Sequence, residues 1–208
     1  MNTGELLALV KTGTDAQIRA AVAADPSILD RLADEVLEDR KRFQLAYYTL
    51  ANPMAKRVHE TLAREVAIVG GNRSSKTDTM MAELAIRMTG RVPEALRATY
   101  PVEKFGSLPI RARVVCNSLT DTLEPVIKPK LRWDQWNGVG DPNDGRGHWG
   151  WIPQHCLAGG TWEKAYSEKY RTLAVNVDST WVGADGSTRS LRGTSKCQFL
   201  SYDQDLTA

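Results

Sequence analysis

The sequence predicts an α/β fold in which a largely parallel sheet, flanked by helices, follows a small helical N-terminal region. Three observations carry this prediction: helical spacing of apolar residues in residues 1–63, a short apolar run at 66–69 before a glycine-rich turn, and an amphipathic helix directly after that turn. A strand, turn, helix and second strand in this order are typical of parallel sheets. We place the domain boundary at residue 45, which gives a helical region, 1–45, and a main domain, 46–208.

The N-terminal region is predicted to contain helices separated by a helix-breaking pair. One helix is expected from near Asp15 to Ala24, after which Asp25-Pro26 supplies a capping side chain and a first-turn proline. The apolar residues that follow recur with helical spacing, which predicts a second amphipathic helix through Ile28, Leu29, Leu32, Val36 and Leu37. A more apolar stretch, residues 44–50, ends at Asn52-Pro53.

The main domain is predicted to begin with a buried strand and a helix. The run Val66-Ala67-Ile68-Val69 is short, apolar and followed by Gly70-Gly71, as expected of a buried strand that enters a turn. The next residues have one apolar face, which predicts a helix that ends at Gly90. That apolar face is formed by Thr77, Met80, Met81, Leu84, Ala85 and Met88.

The remaining elements are predicted from weaker patterns. Residues 113–116 form a second strand candidate, and Ser118 can cap a helix that reaches about Leu131, although Pro125 and Pro129 interrupt it. Residues 137–150 have the composition of a loop. Beyond them the apolar residues of 173–177 alternate with small or polar ones, residues 184–186 form a turn, and residues 196–202 form another strand.

The composition excludes several classes of protein. Hydrophobic residues make up 42% and charged residues 25% of the chain, as in globular domains and unlike disordered chains or fibres. No run of roughly 18 apolar residues occurs, and no basic segment followed by an apolar one begins the chain, so we expect no membrane span and no secretory signal. The net charge of +2 neither requires nor excludes nucleic acid. The three cysteines are odd in number and far apart, which favours a reducing cytoplasm.

The most specific motif is Gly70-Gly71-Asn72-Arg73-Ser74-Ser75-Lys76-Thr77, which we call the phosphate loop. It matches the P-loop pattern of a glycine, four residues and Gly-Lys-Ser/Thr, except that Ser75 replaces the second glycine. In such loops successive backbone N–H groups and the start of the next helix surround a phosphate chain. Lys76 would reach the β- and γ-phosphates, and the Thr77 hydroxyl would bind Mg²⁺. The alternative is an ordinary strand–turn–helix with a lysine near the helix start.

Ser75 is the departure from the motif. A side chain there brings a Cβ atom close to the bound phosphate or the start of the helix, where glycine is normally used. Serine is the smallest polar substitute, so we expect nucleotide binding to be weakened and not abolished.

The phosphate loop and its surroundings resemble the large terminase subunit of tailed bacteriophages, the ATPase of the DNA-packaging motor. That family has Gly-Gly-Asn-Arg-Ser-Gly-Lys-Thr or a close variant after an apolar strand, and this chain has the same string with one change. Further similar segments follow in the family's order over about residues 45–208. They are Thr89-Gly90-Arg91-Val92-Pro93, residues 111–117, Leu131-Arg132-Trp133-Asp134, Trp151-Ile152-Pro153 and residues 199–205.

The resemblance implies both a fold and a function. The fold would be a P-loop NTPase of the ASCE type, with a RecA-like parallel sheet. The complete subunit would hydrolyse ATP with Mg²⁺ and drive double-stranded DNA through a portal ring into a procapsid, in the host cytoplasm. Lys76 and Arg73 would act as catalytic residues by stabilising charge on the transferred phosphoryl group. The implied partners are the portal protein, the small terminase subunit and further copies of the same subunit in a ring.

Three expected parts of such a subunit are missing from the sequence. The family holds adenine with an aromatic residue and Pro-x-x-Gln, whereas here Pro53 is followed by Met54, Ala55 and Lys56, which leaves Tyr47, Tyr48 and Pro53 as an apolar wall. The Walker B strand and the C-terminal nuclease domain would follow residue 208. We therefore expect a truncated subunit that binds ATP through residues 70–77 and has little turnover by itself.

Three internal features have alternative interpretations. Asp178, at the end of the alternating strand, could replace the Walker B aspartate, but a solvated strand-end position is favoured. The tryptophans at 133, 136, 149 and 151 could stack on bases, but packing onto the core is favoured. The spacing of Cys116, His148, His155 and Cys156 matches no compact zinc module, so we expect no structural metal.

Three other functions remain open from the sequence. The chain could belong to another P-loop NTPase, such as a helicase-like translocase or a nucleotide kinase. It could be a nucleotide- or DNA-binding fragment without turnover, or an inert remnant. The presence or absence of a carboxylate pair beside the phosphate loop separates a hydrolase from a binding fragment.

Overall fold

The computed structural model describes residues 5, 8–9, 12–71, 75–105, 108–142, 147–182 and 188–202. Six α-helices lie in this part of the chain: α1 (Asp15–Ala24), α2 (Ile28–Arg42), α3 (Pro53–Glu60), α4 (Lys76–Thr89), α5 (Lys128–Leu131) and α6 (Trp162–Ala165). Six strands accompany them: β1 (Arg111–Cys116), β2 (Trp136–Gly138), β3 (Gly147–Trp149), β4 (Tyr166–Ser167), β5 (Thr172–Val182) and β6 (Thr188–Ser201). None of the helices in the described ranges is long and apolar enough to cross a membrane.

The first two helices share a small apolar cluster. Thr14 and Gln17 form a reciprocal capping box at the start of α1, and the helix ends at Ala24, as predicted. In α2 only Ile28 and Leu32 are buried, and they pack against Ala21 and Val22 of α1. This small cluster is separate from the main core.

Proline and glycine set two predicted boundaries. Pro53 occupies the first turn of α3, and the Asn52 side chain caps that helix by accepting a hydrogen bond from the Ala55 amide at 3.0 Å. Helix α4 ends at Gly90, which has the left-handed conformation (φ 70°) expected of a helix-terminating glycine. The end of α4 at Gly90 confirms the sequence prediction, whereas at Pro53 the sequence predicted only the end of the apolar stretch 44–50 and not the start of a helix.

Residues 119–131 are helical, as predicted, but their geometry is irregular. Ser118 caps this segment by accepting a hydrogen bond from the Asp121 amide at 3.1 Å. A π-helix, Leu119–Ile127, contains Pro125 and continues into the short α5, where Pro129 lies in the first turn. Proline lacks an amide hydrogen and clashes with the preceding turn, which accounts for the departure from a regular α-helix.

The main sheet is mixed, and the prediction of a RecA-like parallel sheet is wrong. Its strand order is β1-β6-β5-β4, in which only β1 and β6 are parallel. Strands β5 and β6 form a long antiparallel hairpin from Thr172↔Gln198 to Val182↔Thr188, and β4 also pairs antiparallel with β5. Consecutive strands joined by a short turn pair most readily with each other, so the local hairpin prevails. The turn predicted at 184–186 lies outside the described residues.

The strand predicted before the phosphate loop is also absent from the described structure. Residues 66–69 form irregular chain, and the side chains of Val66 and Val69 are 43% and 92% exposed. An apolar run of four residues becomes a buried strand only where a sheet edge accepts it, and none of the described strands pairs with this segment.

Helix α4 and the sheet form the main core. The helix lies against β5 and β6, and both elements contribute fully buried side chains, which include Ala82, Ala85, Ile86 and Met88 of α4 and Leu173, Val175, Cys197 and Phe199 of the hairpin. The region predicted as a loop at 137–150 is a strand ribbon at its two ends, since β2 and β3 pair antiparallel with Trp136 opposite Trp149.

Candidate functional site

The candidate site is the start of α4, where the chain leaves the phosphate loop. Gly70, Gly71, Ser75, Lys76 and Thr77 are described, whereas Asn72, Arg73 and Ser74 lie outside the described residues. Lys76 is the first residue of the helix, and its side chain turns back toward the loop. Its Nζ atom donates to the carbonyl oxygens of Gly70 and Gly71 at 2.7 and 2.6 Å. The lysine charge therefore lies between the two ends of the loop.

Ser75 has a backbone conformation that favours glycine. Its φ of 58° and ψ of 14° place it in the left-handed region. This region is unfavourable for residues with a side chain, because the Cβ atom comes too close to the neighbouring carbonyl oxygen. Ser75 precedes the helix without forming a side-chain cap, although its carbonyl accepts the first helical hydrogen bond from Thr79 at 2.9 Å. The sequence predicted that the Ser75 Cβ atom would crowd the bound phosphate or the start of the helix, and the backbone conformation supplies a further reason for glycine here.

Asp78, in the first turn of α4, joins this helix to the tryptophan-rich segment. Its Oδ1 atom lies 2.8 Å from His148 Nε2 and accepts hydrogen bonds from the Trp151 indole at 3.1 Å and from Lys130 at 3.3 Å. Burial by itself raises the pKa of Asp78, but the hydrogen bond and charge of His148, with Lys130 and Trp151, hold that pKa below its usual value. The carboxylate is therefore engaged by three side chains of residues 130–151.

The tryptophans near this turn pack onto the protein, as the favoured interpretation expected. Trp151 is 4% exposed, and its ring meets that of Tyr48 edge to face at 5.1 Å. His148 stacks on Trp151 with ring centroids 3.9 Å apart and places Nδ1 2.7 Å from the Trp149 carbonyl oxygen. These contacts fix the ribbon of β2 and β3 against the first turn of α4.

The residues predicted to form an adenine wall differ in accessibility, and Tyr47 is 38% exposed. Tyr48 is 3% exposed, and its hydroxyl lies 2.8 Å from His59 Nε2, so its ring has no free face for a base. Burial raises the pKa of Tyr48 to about 12, which keeps the hydroxyl protonated. Pro53 is exposed at the start of α3.

A buried charged network lies one turn further along α4, and the sequence analysis missed it. Glu83 is 7% exposed; its Oε2 atom lies 2.8 Å from His59 Nδ1, and its Oε1 atom accepts hydrogen bonds from Lys104 at 2.9 Å and Tyr100 at 3.1 Å. Burial alone raises the pKa of Glu83, but the hydrogen bonds and charges of His59 and Lys104 keep it below its usual value. The available signal was an acid on the apolar face of the helix, between Met81 and Ala85.

Asp178 lies near the C-terminal end of α4, whereas the phosphate loop lies at its N-terminal end. Its side chain is 86% exposed on β5, with its Oδ1 atom 4.0 Å from Arg192 Nε, and its backbone carbonyl accepts a hydrogen bond from Arg91 at 3.3 Å. Arg91 follows the C-terminal end of α4, and a helix of 14 residues is about 21 Å long. The favoured interpretation of Asp178 as a solvated residue therefore agrees with its position.

Metal ligands are not clustered in the part of the chain that the structure describes. No group of three or more His, Cys, Asp or Glu side chains lies close enough there to hold an ion. Thr77, the residue predicted to bind Mg²⁺ through its hydroxyl, is exposed at the start of α4. His148 and His155 lie in different surroundings, since the first contacts Asp78 and the second packs against Phe43.

Comparison of this chain with models of known protein families, with curated proteins and with solved structures finds no match.

Proposed function

We propose that residues 70–77 bind the phosphate chain of ATP together with Mg²⁺. The observation that carries this proposal is the position of Lys76, whose ammonium group is held at the loop by the carbonyl oxygens of Gly70 and Gly71. A phosphate oxygen would offer the same ammonium a stronger, charge-assisted hydrogen bond. In the absence of a ligand Lys76 is thus hydrogen-bonded to two carbonyl oxygens of the loop, and a phosphate oxygen can replace them.

The start of α4 adds to the attraction for an anion. The first amides of an α-helix have no partner inside the helix, and the helix dipole places partial positive charge at that end. The one acidic residue of the first turn, Asp78, is directed to His148, Trp151 and Lys130, which offset its charge. Thr77 is exposed beside Lys76, where its hydroxyl would bind the Mg²⁺ that accompanies ATP.

The resemblance to terminase large subunits supports a wider proposal. In the complete subunit, ATP bound at residues 70–77 would be hydrolysed, with Arg73 and Lys76 stabilising the phosphoryl group. Hydrolysis would drive double-stranded DNA into a procapsid in the host cytoplasm. The portal protein, the small terminase subunit and a ring of identical subunits would be its partners. This proposal rests on the motif string and not on the sheet, whose mixed order differs from the expected one.

A second function, nucleotide binding without hydrolysis by these 208 residues, is favoured by the position of the acids. Asp178 lies beside the other end of α4 from Lys76, and Asp78 is occupied by three donors. Hydrolysis needs a carboxylate that orients water beside the γ-phosphate. Neither of these two acids is placed to do so.

The test is a calorimetric titration of the chain with Mg·ATP, compared with the Lys76→Ala variant. Loss of a charge-assisted hydrogen bond is expected to weaken binding by at least about tenfold. Lys56→Ala is the matched control, because Lys56 is half exposed and pairs only weakly with Glu60 at 3.8 Å. That control should bind Mg·ATP as the unmodified chain does.

Two outcomes would contradict these proposals. Equal affinity in the Lys76→Ala variant and the unmodified chain would show that the loop is not the nucleotide site. Sustained phosphate release that an Asp178→Asn variant loses would show that Asp178 serves hydrolysis after all and that binding without turnover is the wrong description.

A further inference from the structure

A cavity lies at the opposite end of α4 from the phosphate loop. Its volume is about 590 Å³, within the range of cavities that hold small molecules. The chain after the helix forms one wall, and Pro153, His155, Asp178 and Thr180 form part of the rest. The remaining wall consists of Phe43, Leu45 and Ala46. The wall after the helix contains Gly90-Arg91-Val92-Pro93, the string that the sequence analysis noted and the phosphate loop does not use.

Arg91 provides this cavity with an unsatisfied cationic group. One of its terminal nitrogens donates to the Asp178 carbonyl oxygen at 3.3 Å, whereas its Nε atom is buried without a hydrogen-bond partner. Among the described residues Arg91 has no carboxylate within ion-pair distance. The other charged groups are paired in solvent: Arg97 lies 3.1 Å from Glu94, and Asp178 lies 4.0 Å from Arg192. Arg91 lines the cavity, so an anionic group bound there would offset its positive charge.

Apart from Arg91, Arg97 and Asp178, the residues that line the cavity are apolar or uncharged. Phe43, Val92, Pro93 and Pro153 present flat or branched apolar surfaces. His155 packs against Phe43 with ring centroids 5.6 Å apart, and burial together with the nearby charge of Arg91 lowers the pKa of His155. The imidazole is thus neutral near pH 7. Arg91 is then the group that would bind an anion, and the aromatic and proline rings would contact a flat apolar part of the ligand.

We propose that this cavity binds a small organic anion with a flat apolar body, whose carboxylate, sulfonate or phosphate group is held by Arg91. The site is separate from the phosphate loop, since α4 places Lys76 and Arg91 about 21 Å apart. The inference does not depend on nucleotide binding at residues 70–77.

The test uses two fluorescent probes that differ only in charge. The probe 8-anilinonaphthalene-1-sulfonate has the proposed chemistry, and N-phenyl-1-naphthylamine has the same rings without the sulfonate. Titration of the unmodified chain should show one saturable site that binds the sulfonate at least about tenfold more tightly than the amine. In an Arg91→Met variant, which keeps a long apolar side chain without charge, this preference should disappear.

Controls distinguish binding at this site from non-specific probe binding and from loss of folding. Arg97→Gln should change sulfonate binding by less than about twofold, because Arg97 is exposed and already paired. Ala46→Trp should block the cavity from its exposed wall and lower the affinity for both probes. Ala46 is exposed, so this variant tests the site even if Arg91→Met unfolds, which a thermal melt detects.

Three results would overturn the inference. The first is equal affinity for both probes in the unmodified chain, and the second is sulfonate binding that neither Arg91→Met nor Ala46→Trp reduces. The third is displacement of the sulfonate by saturating Mg·ATP, together with its loss in Lys76→Ala, which would make the cavity a part of the nucleotide site. If the cavity is separate, Lys76→Ala should leave sulfonate binding unchanged whether or not that variant binds ATP.

Discussion

Replacement of Ser75 by glycine should stabilise the protein. The left-handed backbone at Ser75, with φ 58° and ψ 14°, costs a residue with a side chain about 1–2 kcal/mol relative to the ordinary helical region. Glycine avoids that crowding, but it adds about 0.5–1 kcal/mol of backbone entropy to the unfolded chain. The difference predicts a gain of about 0.5–1 kcal/mol in the free energy of unfolding. Ser75 forms no side-chain cap whose loss would offset the gain.

Urea denaturation followed by circular dichroism measures this change. Ser75→Ala provides the matched control, because alanine removes the hydroxyl but keeps the Cβ atom and therefore should not stabilise the chain. Gly90→Ala tests the opposite change, because it adds a Cβ atom at a residue with a φ of 70°. This variant should be less stable than the unmodified chain by at least about 1 kcal/mol.

Binding gives an independent check on the same substitution. Ser75→Gly should also tighten Mg·ATP binding in calorimetry, because it removes the Cβ atom beside the expected phosphate position. A glycine variant that is less stable than the unmodified chain would refute the backbone argument. Weaker ATP binding by that variant would refute the steric argument.

Two further predictions concern the buried carboxylates of α4. The pKa values of Asp78 and Glu83 are both lowered in the folded protein. Their contribution to stability is therefore complete above the ordinary carboxyl pKa of about 4, and it is lost as the pH falls through the lower folded-state values. Asp78→Asn should reduce the loss of stability between pH 7 and pH 3 that urea unfolding measures. Glu83→Gln should destabilise the chain by about 3–5 kcal/mol because Lys104 and His59 lose their charged partner, whereas exposed Glu94→Gln should change stability by less than about 0.5 kcal/mol.

The sequence predicted the local elements well because their signals are local. Gly90 after a helix and the cap at Ser118 each act within a few residues, and the structure confirms both. The alternation at 173–177 likewise predicted a strand whose inward side chains are buried.

Strand pairing was predicted less well because it depends on distant residues. The order of strands and helices was interpreted as a parallel sheet, whereas β5 and β6 pair antiparallel in a long hairpin. The apolar run at 66–69 has the composition of a buried strand, yet no described strand pairs with it. Composition therefore did not specify which edge, if any, would accept it.

The candidate site was predicted only in part for a similar reason. The helix start and Lys76 follow from a contiguous motif. The partners of Asp78 and Glu83 come from residues 59, 100, 104, 130, 148 and 151, and a single sequence does not reveal which of these the fold brings together. Tyr48 also belongs to these contacts, which explains why a residue chosen as an adenine wall is buried.

Strand β6 is bonded along both of its edges at once. Cys197 faces Ala112 on one side and Leu173 on the other, so the same three-residue stretch, 196–198, is aligned by two ladders. A slip of β6 by one residue would turn Cys197 and Phe199, both 0% exposed, out of the core and bring Lys196 in. Such a slip would also break the backbone hydrogen bonds of β6 to both β1 and β5. One alignment of β6 therefore satisfies both neighbouring strands and keeps the apolar side chains in the core.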